Sequence, residues 1–161
     1  MRIRPATSAD VPVLMALESH AITAAHWSAQ QYEGIFLAGE PQRTAVVIEE
    51  DAGVQGFLVA RAVESEWEIE NVVVASSARR RGVGSQLLAE FLNTARSRGA
   101  EAVFLEVRES NAAARRLYEK SGFTQNGRRK RYYREPEEAA VAYRLQLSPA
   151  APESVQPLTS L

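Results

Sequence analysis

Cysteine is absent from this 161-residue chain. That absence excludes disulfides, thiolate metal sites and a cysteine nucleophile together. Histidine is scarce: His20 and His26 are the only two. They are too few for a His-rich metal site, both read as partly exposed surface residues, and no metal is expected. An excess of one charge is missing as well. Nineteen Lys and Arg against twenty Asp and Glu leave a net charge of −1, which gives no global electrostatic case for nucleic acid. No apolar run is long enough to span a bilayer and no secretory pattern opens the chain, so the expectation is a soluble cytoplasmic protein. Internal repeats are also lacking. Hydrophobic residues at 45% and charged residues at 24% match ordinary globular usage, and this length suits one cored domain. From Ser148 onward Pro, Ala and Ser dominate. The expected organisation is therefore a single domain over 1–147 and a disordered tail over 148–161.

What is present is an ordered succession of strand and helix signals. Arg2-Ile3-Arg4 reads as a short strand. Ser8 or Asp10 can cap a first helix with Val11, Leu14 and Leu17 at helical spacing. Ser28-Ala29-Gln30-Gln31 fits a capping box and predicts a second helix from Ala29 to about Leu37, which Gly39 and Pro41 break. Residues 44–50 and 55–63 are β-like, joined by the hairpin signal Asp51-Ala52-Gly53, and residues 66–74 add a third strand. Leu87, Leu88, Phe91, Leu92 and Ala95 form the stripe of a helix over 86–98, ended by Gly99. Residues 102–107 make a near-continuous apolar strand, the pattern of burial on both faces. Ser110 or Asn111 caps a helix carrying Ala114, Leu117 and Tyr118, which stops at Gly122. Residues 123–133 and 139–147 close the pattern around a polar turn with Pro136. This order predicts an α/β protein with a mixed sheet covered by helices.

One stretch stands out: Arg79-Arg80-Arg81-Gly82-Val83-Gly84-Ser85, directly after the β-branched Val72-Val73-Val74. Strand, glycine loop and helix together aim free N–H groups and a positive helix end at an anion. Glycines admit a close approach, and arginines add charge-assisted donors. A solvated turn is the alternative for such a short motif. Ligands of open α/β sheets sit at the carboxyl ends of strands. Val74 and Val107 are two such ends, and the loop 108–111 leaves the second, so both ends are expected at one site.

These motifs resemble the GCN5-related N-acetyltransferase (GNAT) family. There an Arg/Gln-x-x-Gly-x-Gly/Ala loop holds the pyrophosphate of acetyl-coenzyme A, and Arg79 to Gly84 match every fixed position. Leu105-Glu106-Val107-Arg108-Glu109-Ser110-Asn111-Ala112-Ala113-Ala114, with Leu117-Tyr118-Glu119 and Gly122-Phe123, resembles the RimI type. That type acetylates the N-terminal alanine of a small-subunit ribosomal protein. Arg131-Tyr132-Tyr133 and His26-Trp27-Ser28 echo the same type, though another residue, often Pro, precedes its Trp. The resemblance spans roughly residues 2–147. It implies a central mixed, twisted sheet of about seven strands with helices on both faces, splayed at the acetyl-coenzyme A site. It further implies that Val72, Val73, Val74, Arg79, Arg80, Arg81, Gly82, Val83, Gly84, Ser85 and Asn111 bind that cosubstrate. A backbone N–H within 72–74 is the implied oxyanion donor, Glu106 the base and Tyr118 the acid.

Acetyl transfer to an amine needs each of these roles. Read alone, Glu106 is also consistent with a strand-end carboxylate paired with Arg108 or Arg61. Glu70, near the splayed strand, is the second candidate base. Tyr118 also fits a core tyrosine with a satisfied hydroxyl. Trp27, Tyr132 and Tyr133 are candidate walls of a slot for an extended peptide, or ordinary packing. Arg128-Arg129-Lys130-Arg131 reads either as a charged exposed hairpin or as a rim that docks a ribosomal partner or the substrate's backbone. The leading expectation is a protein N-α-acetyltransferase acting on a ribosomal protein. The alternatives are an acetyltransferase for small amines or lysine side chains, and a non-catalytic acyl-coenzyme A or RNA-binding module.

Overall fold

The computed structural model describes residues 1–21, 27–39, 41–134 and 136–147. His26 and the tail over 148–161 lie outside them. In chain order the elements are β1 (Arg2–Pro5), α1 (Val11–Ser19), α2 (Ala29–Gly34), β2 (Arg43–Glu50), β3 (Gly53–Val63), β4 (Glu66–Val74), α3 (Val83–Ser97), β5 (Ala102–Arg108), α4 (Ala112–Lys120), β6 (Thr124–Tyr133) and β7 (Glu138–Gln146). The strands form one seven-stranded sheet in the order β1-β2-β3-β4-β5-β7-β6. Strand β7 returns between β5 and β6, so β6 becomes an edge. The β4–β5 pair is parallel, and its crossover is α3. The other pairs are antiparallel. Among the described residues no helix is long and apolar enough to cross a membrane.

Strand alternation sends side chains to two cores. Leu58 and Ala60 of β3 face α3 and α4, packing with Leu88, Phe91 and Tyr118. Phe57 and Val59 face the other way, packing with Leu14 of α1 and Tyr32 of α2. The apolar stripe of α1 is not the one its spacing predicts. Val11, Leu14 and Glu18 are its buried residues, so a carboxylate occupies a core position and Leu17 sits beside the stripe. Asp10 ties the start of α1 to β1. Its carboxylate accepts two bonds from the Arg4 guanidinium, at 2.8 and 2.9 Å, and one from the Thr7 N–H at 2.7 Å.

Three other expectations need correction. Helix α2 ends at Gly34 instead of near Leu37; residues 35–37 tighten into turns that donate three residues back before Gly39 at φ +129°. Helix α3 begins at Val83, inside the glycine loop, because Gly82 is its N-cap. Strand β5 is not buried on both faces. Val103, Leu105 and Val107 enter the core, whereas Phe104, Glu106 and Arg108 are only half-buried. Helix α1 packs against β3 and β4, which leaves that face of β5 partly uncovered.

Candidate active site

Strands β4 and β5 pair only over Glu66–Glu68 and Ala102–Phe104. Beyond that point they diverge, and a cavity of about 1080 Å³ opens between them. A β-bulge begins the divergence. Val59 and Ala60 of β3 oppose Asn71 and Ile69, so Glu70 is the extra residue on β4. The bulge reverses the parity of the strand: Trp67 and Ile69 face the α3 side, as do Val72 and Val74. Asn71 is thereby turned to the α1 side. Its Nδ2 donates to Glu18 Oε2 at 2.9 Å and lies 3.3 Å from the Tyr32 hydroxyl, while Glu18 Oε1 accepts the Trp27 N–H.

Past Glu68 the inner edge of β4 has no strand partner among the described residues. The Ala75 N–H donates to Gln55 O at 2.7 Å, toward β3. Alternation then points the Val74 and Val72 amides into the gap. At the far end of the strand the loop turns sharply, with Arg80 at φ +64° and Gly82 at φ +76°. A Cβ at Gly82 would meet nothing within 4 Å, so its backbone angle is what calls for glycine there. A Cβ at Gly84 would come within 3.4 Å of Leu117 and 3.7 Å of Val74. The first helical bond of α3 runs from the Gln86 N–H to Gly82 O. The amides of Val83, Gly84 and Ser85 therefore have no partner within the helix. Arg79, Arg80, Arg108, Arg116 and Arg134 line the cavity against two glutamates, Glu70 and Glu106. That charge balance suits an anionic guest. Arg81 is not on the wall; it pairs with Glu50 at 2.5 Å.

The two candidate proton carriers line the same cavity, one from each side of the sheet. Glu106 Oε1 pairs with Arg129 Nη2 at 3.1 Å. Glu106 Oε2 is buried and accepts no hydrogen bond among the described residues. Arg108 and Arg61 are not its partners: Arg61 pairs with Glu68 and Arg108 with Glu138. Glu70 lines the cavity too, but both its oxygens are engaged by Arg43. Tyr118 is 5% exposed and packs edge-on against Phe123. Burial holds its hydroxyl well above the usual phenol range, so it keeps its proton at neutral pH.

Val72, Val73, Val74, Val83, Ser85 and Asn111 also line the cavity. The Asn111 side chain caps α4: its Oδ1 accepts the Ala114 N–H at 3.1 Å. Among the three aromatic candidates, Tyr133 is on the wall, with the Arg108 guanidinium 4.4 Å over its ring. Burial and the nearby Glu106 carboxylate push its hydroxyl up to about 12. Trp27 packs on Tyr32 and Tyr132 is half exposed; neither is on the wall. In the basic run, Arg128 pairs with Glu109, Arg129 with Glu106 and Arg131 with Glu137. Sequence reasoning missed Glu18, Asn71 and the contact of Arg129. Only Glu18 carried a readable signal, a charge at the i+4 position of a buried stripe.

The model of the acetyltransferase (GNAT) family matches residues 14–123. The ribosomal protein bS18-alanine N-acetyltransferase of Salmonella typhimurium is 32% identical over 128 residues, covering 79% of this chain and 83% of that protein. Its Escherichia coli K12 counterpart is 31% identical over 125 residues, covering 77% and 81%. The crystal structure of the ribosomal-protein-S18-alanine N-acetyltransferase from Escherichia coli superposes with a TM-score of 0.81 at 28% identity, covering 94% and 97% of the two chains.

Proposed function

Because the chain belongs to the GNAT acetyltransferases, which use acetyl-coenzyme A, we propose that it acetylates the α-amine of a protein N-terminus. The N-terminal alanine of ribosomal protein bS18, the substrate in its relatives' names, is the substrate this reading favours. The observation that carries the reading is the Glu106 carboxylate: on the wall of the splay, with one oxygen buried and unpartnered. A buried acceptor left open in this way calls for an incoming donor.

The cavity residues fit the cosubstrate. With the cosubstrate bound, the amides of Val83, Gly84 and Ser85, with Arg79 and Arg80, would hold its pyrophosphate. Acetyl-coenzyme A, when bound, supplies an acyl carbon activated as a thioester. Glu106 Oε2 takes the proton from the substrate ammonium. The inward amides of Val72 and Val74 are the donors available to negative charge growing on the carbonyl oxygen. Tyr118 holds a proton at its hydroxyl for the departing sulfur. Glu106 reaches the cavity from the α1 side and Tyr118 from the α4 side, so the gap in the sheet lets a base and an acid serve opposite ends of one reaction. Tyr133 forms the aromatic wall beside Glu106.

The α-amine is the easier substrate for a single carboxylate. It ionises at about 7.7–8.0 against about 10.4 for lysine, a difference of roughly 3.4 kcal/mol in deprotonation. Incubation with acetyl-coenzyme A and an Ala-starting peptide should place the acetyl group on the N-terminus, located by mass spectrometry. The same peptide with a blocked N-terminus and an internal lysine should react far more slowly. Equal rates on the two peptides would reject the N-α reading.

A further inference from the structure

Among the described residues the one ion pair to Glu106 is made by a residue that sits badly for a structural role. Arg129 lies on the edge strand β6, which is exposed along nearly its whole length. Its side chain is 64% exposed against 22% for Glu106. The cross-strand neighbours of Glu106 are Ala142 on β7 and, beyond it, Gly127 on β6. Arg108, Ala140 and Arg129 form the next row on the same face. Because Ala142 and Ala140 are short and Gly127 has no side chain, the Arg129 guanidinium can lie diagonally across two strands and reach Glu106. Just past Arg129 the pairing is interrupted: Arg129 opposes Ala140 and Tyr133 opposes Glu138, so three residues of β6 face one of β7. Arg131 within that bulge has φ +54°. Tyr132, lifted out by the bulge, offers its ring to the same guanidinium at 5.3 Å. Arg129 therefore has two resting partners, one inside the site and one at its rim.

We propose that Arg129 is a built-in competitor of the substrate ammonium: in the free protein its guanidinium holds Glu106 Oε1 and neutralises the carboxylate's single charge, and it withdraws toward Tyr132 when the ammonium of a protein N-terminus arrives at the open Oε2. This rests on Glu106 being the group that receives the amine. A guanidinium and an ammonium seek the same carboxylate, and each supplies N–H donors to it. Acetylation turns the ammonium into a neutral amide by removing two protons: one goes to Glu106 and then to water, and the other makes good the proton that Tyr118 gives the departing sulfur. The product has no cation with which to hold Glu106 against Arg129, so the returning arginine favours release.

A binding cycle on the coenzyme A-loaded protein, where no turnover occurs, tests the idea. The probes are a short Ala-starting peptide of otherwise neutral residues and its N-acetylated form, read by calorimetry. Arg129→Gln should tighten the free-amine peptide about two- to fivefold, the range of a solvent-screened ion pair. It should leave the acetylated peptide unchanged. Arg129→Lys, which keeps a cation, should stay near wild type. In a Glu106→Gln background Arg129→Gln should have no effect on the free-amine peptide. Weaker binding to Arg129→Gln would make Arg129 a peptide ligand and overturn the proposal; so would unchanged binding, or the same gain in the Glu106→Gln background. Undiminished turnover by Glu106→Gln would reject Glu106 as the base, a result the binding cycle does not depend on.

Discussion

At the scale of single residues, the site turns on how few partners Glu106 has. A carboxylate in an apolar strand is costly unless paired, and here one oxygen is paired and the other is not. Glu106→Gln keeps the shape of the side chain but cannot take up a proton. Its kcat/KM at neutral pH is expected to fall by about 10²–10⁴, the usual contribution of a general base. The loss should shrink as pH rises, because more of the substrate amine is already neutral. Steady-state rates across pH check both the size and the trend. Glu106 was visible in the sequence as a lone acid among apolar neighbours. Its partner was not, because Arg129 reaches it through the register of two further strands and past a glycine. Register with a bulge cannot be read from spacing along one segment.

At the scale of elements, the joint between β1 and α1 depends on one buried acid. Asp10 is 8% exposed, and its bond to Arg4 holds its carboxyl down at about 2. A carboxyl lowered in the fold stabilises it fully above the ordinary range near pH 4, and the benefit is lost as pH falls through the folded value. Asp10→Asn should therefore cost about 1–3 kcal/mol at neutral pH, and thermal melts of mutant and wild type should converge between about pH 4 and pH 2. The order of elements was legible because apolar periodicity and caps are local. The length of α2 was not, since turns over 35–37 continue its direction without its bonding pattern. The half-open face of β5 was also hidden. Its apolar letters suggest burial on both sides, but coverage depends on where α1 lies. Gly82 was singled out for close approach to a ligand; the structure adds a second demand for glycine, the left-handed angle at which α3 starts.

At the scale of the whole molecule, the splay is held shut at one end and open at the other. Arg144 of β7 grips Glu66 of β4 through two bonds, at 2.7 and 2.6 Å, reaching across β5 where the parallel pair still forms. Beyond that clip the sheet has an edge in its middle. The splay itself came from resemblance, because a gap between strands leaves no periodic mark in sequence. Amides on such an edge have no strand partner, although the strand they belong to lies inside the sheet. Val72 and Val74 should accordingly exchange hydrogen for deuterium much faster in the free protein than Val73, whose amide faces β3. Residue-resolved exchange checks the contrast, and uniform protection along 72–74 would mean that the gap closes in solution. Acetyl-coenzyme A should slow these two amides, together with those of Val83, Gly84 and Ser85, and leave Val73 unchanged. The fold thus carries its own reporter: a pair of exchangeable protons, surrounded by slow ones, whose protection rises with occupancy of the site.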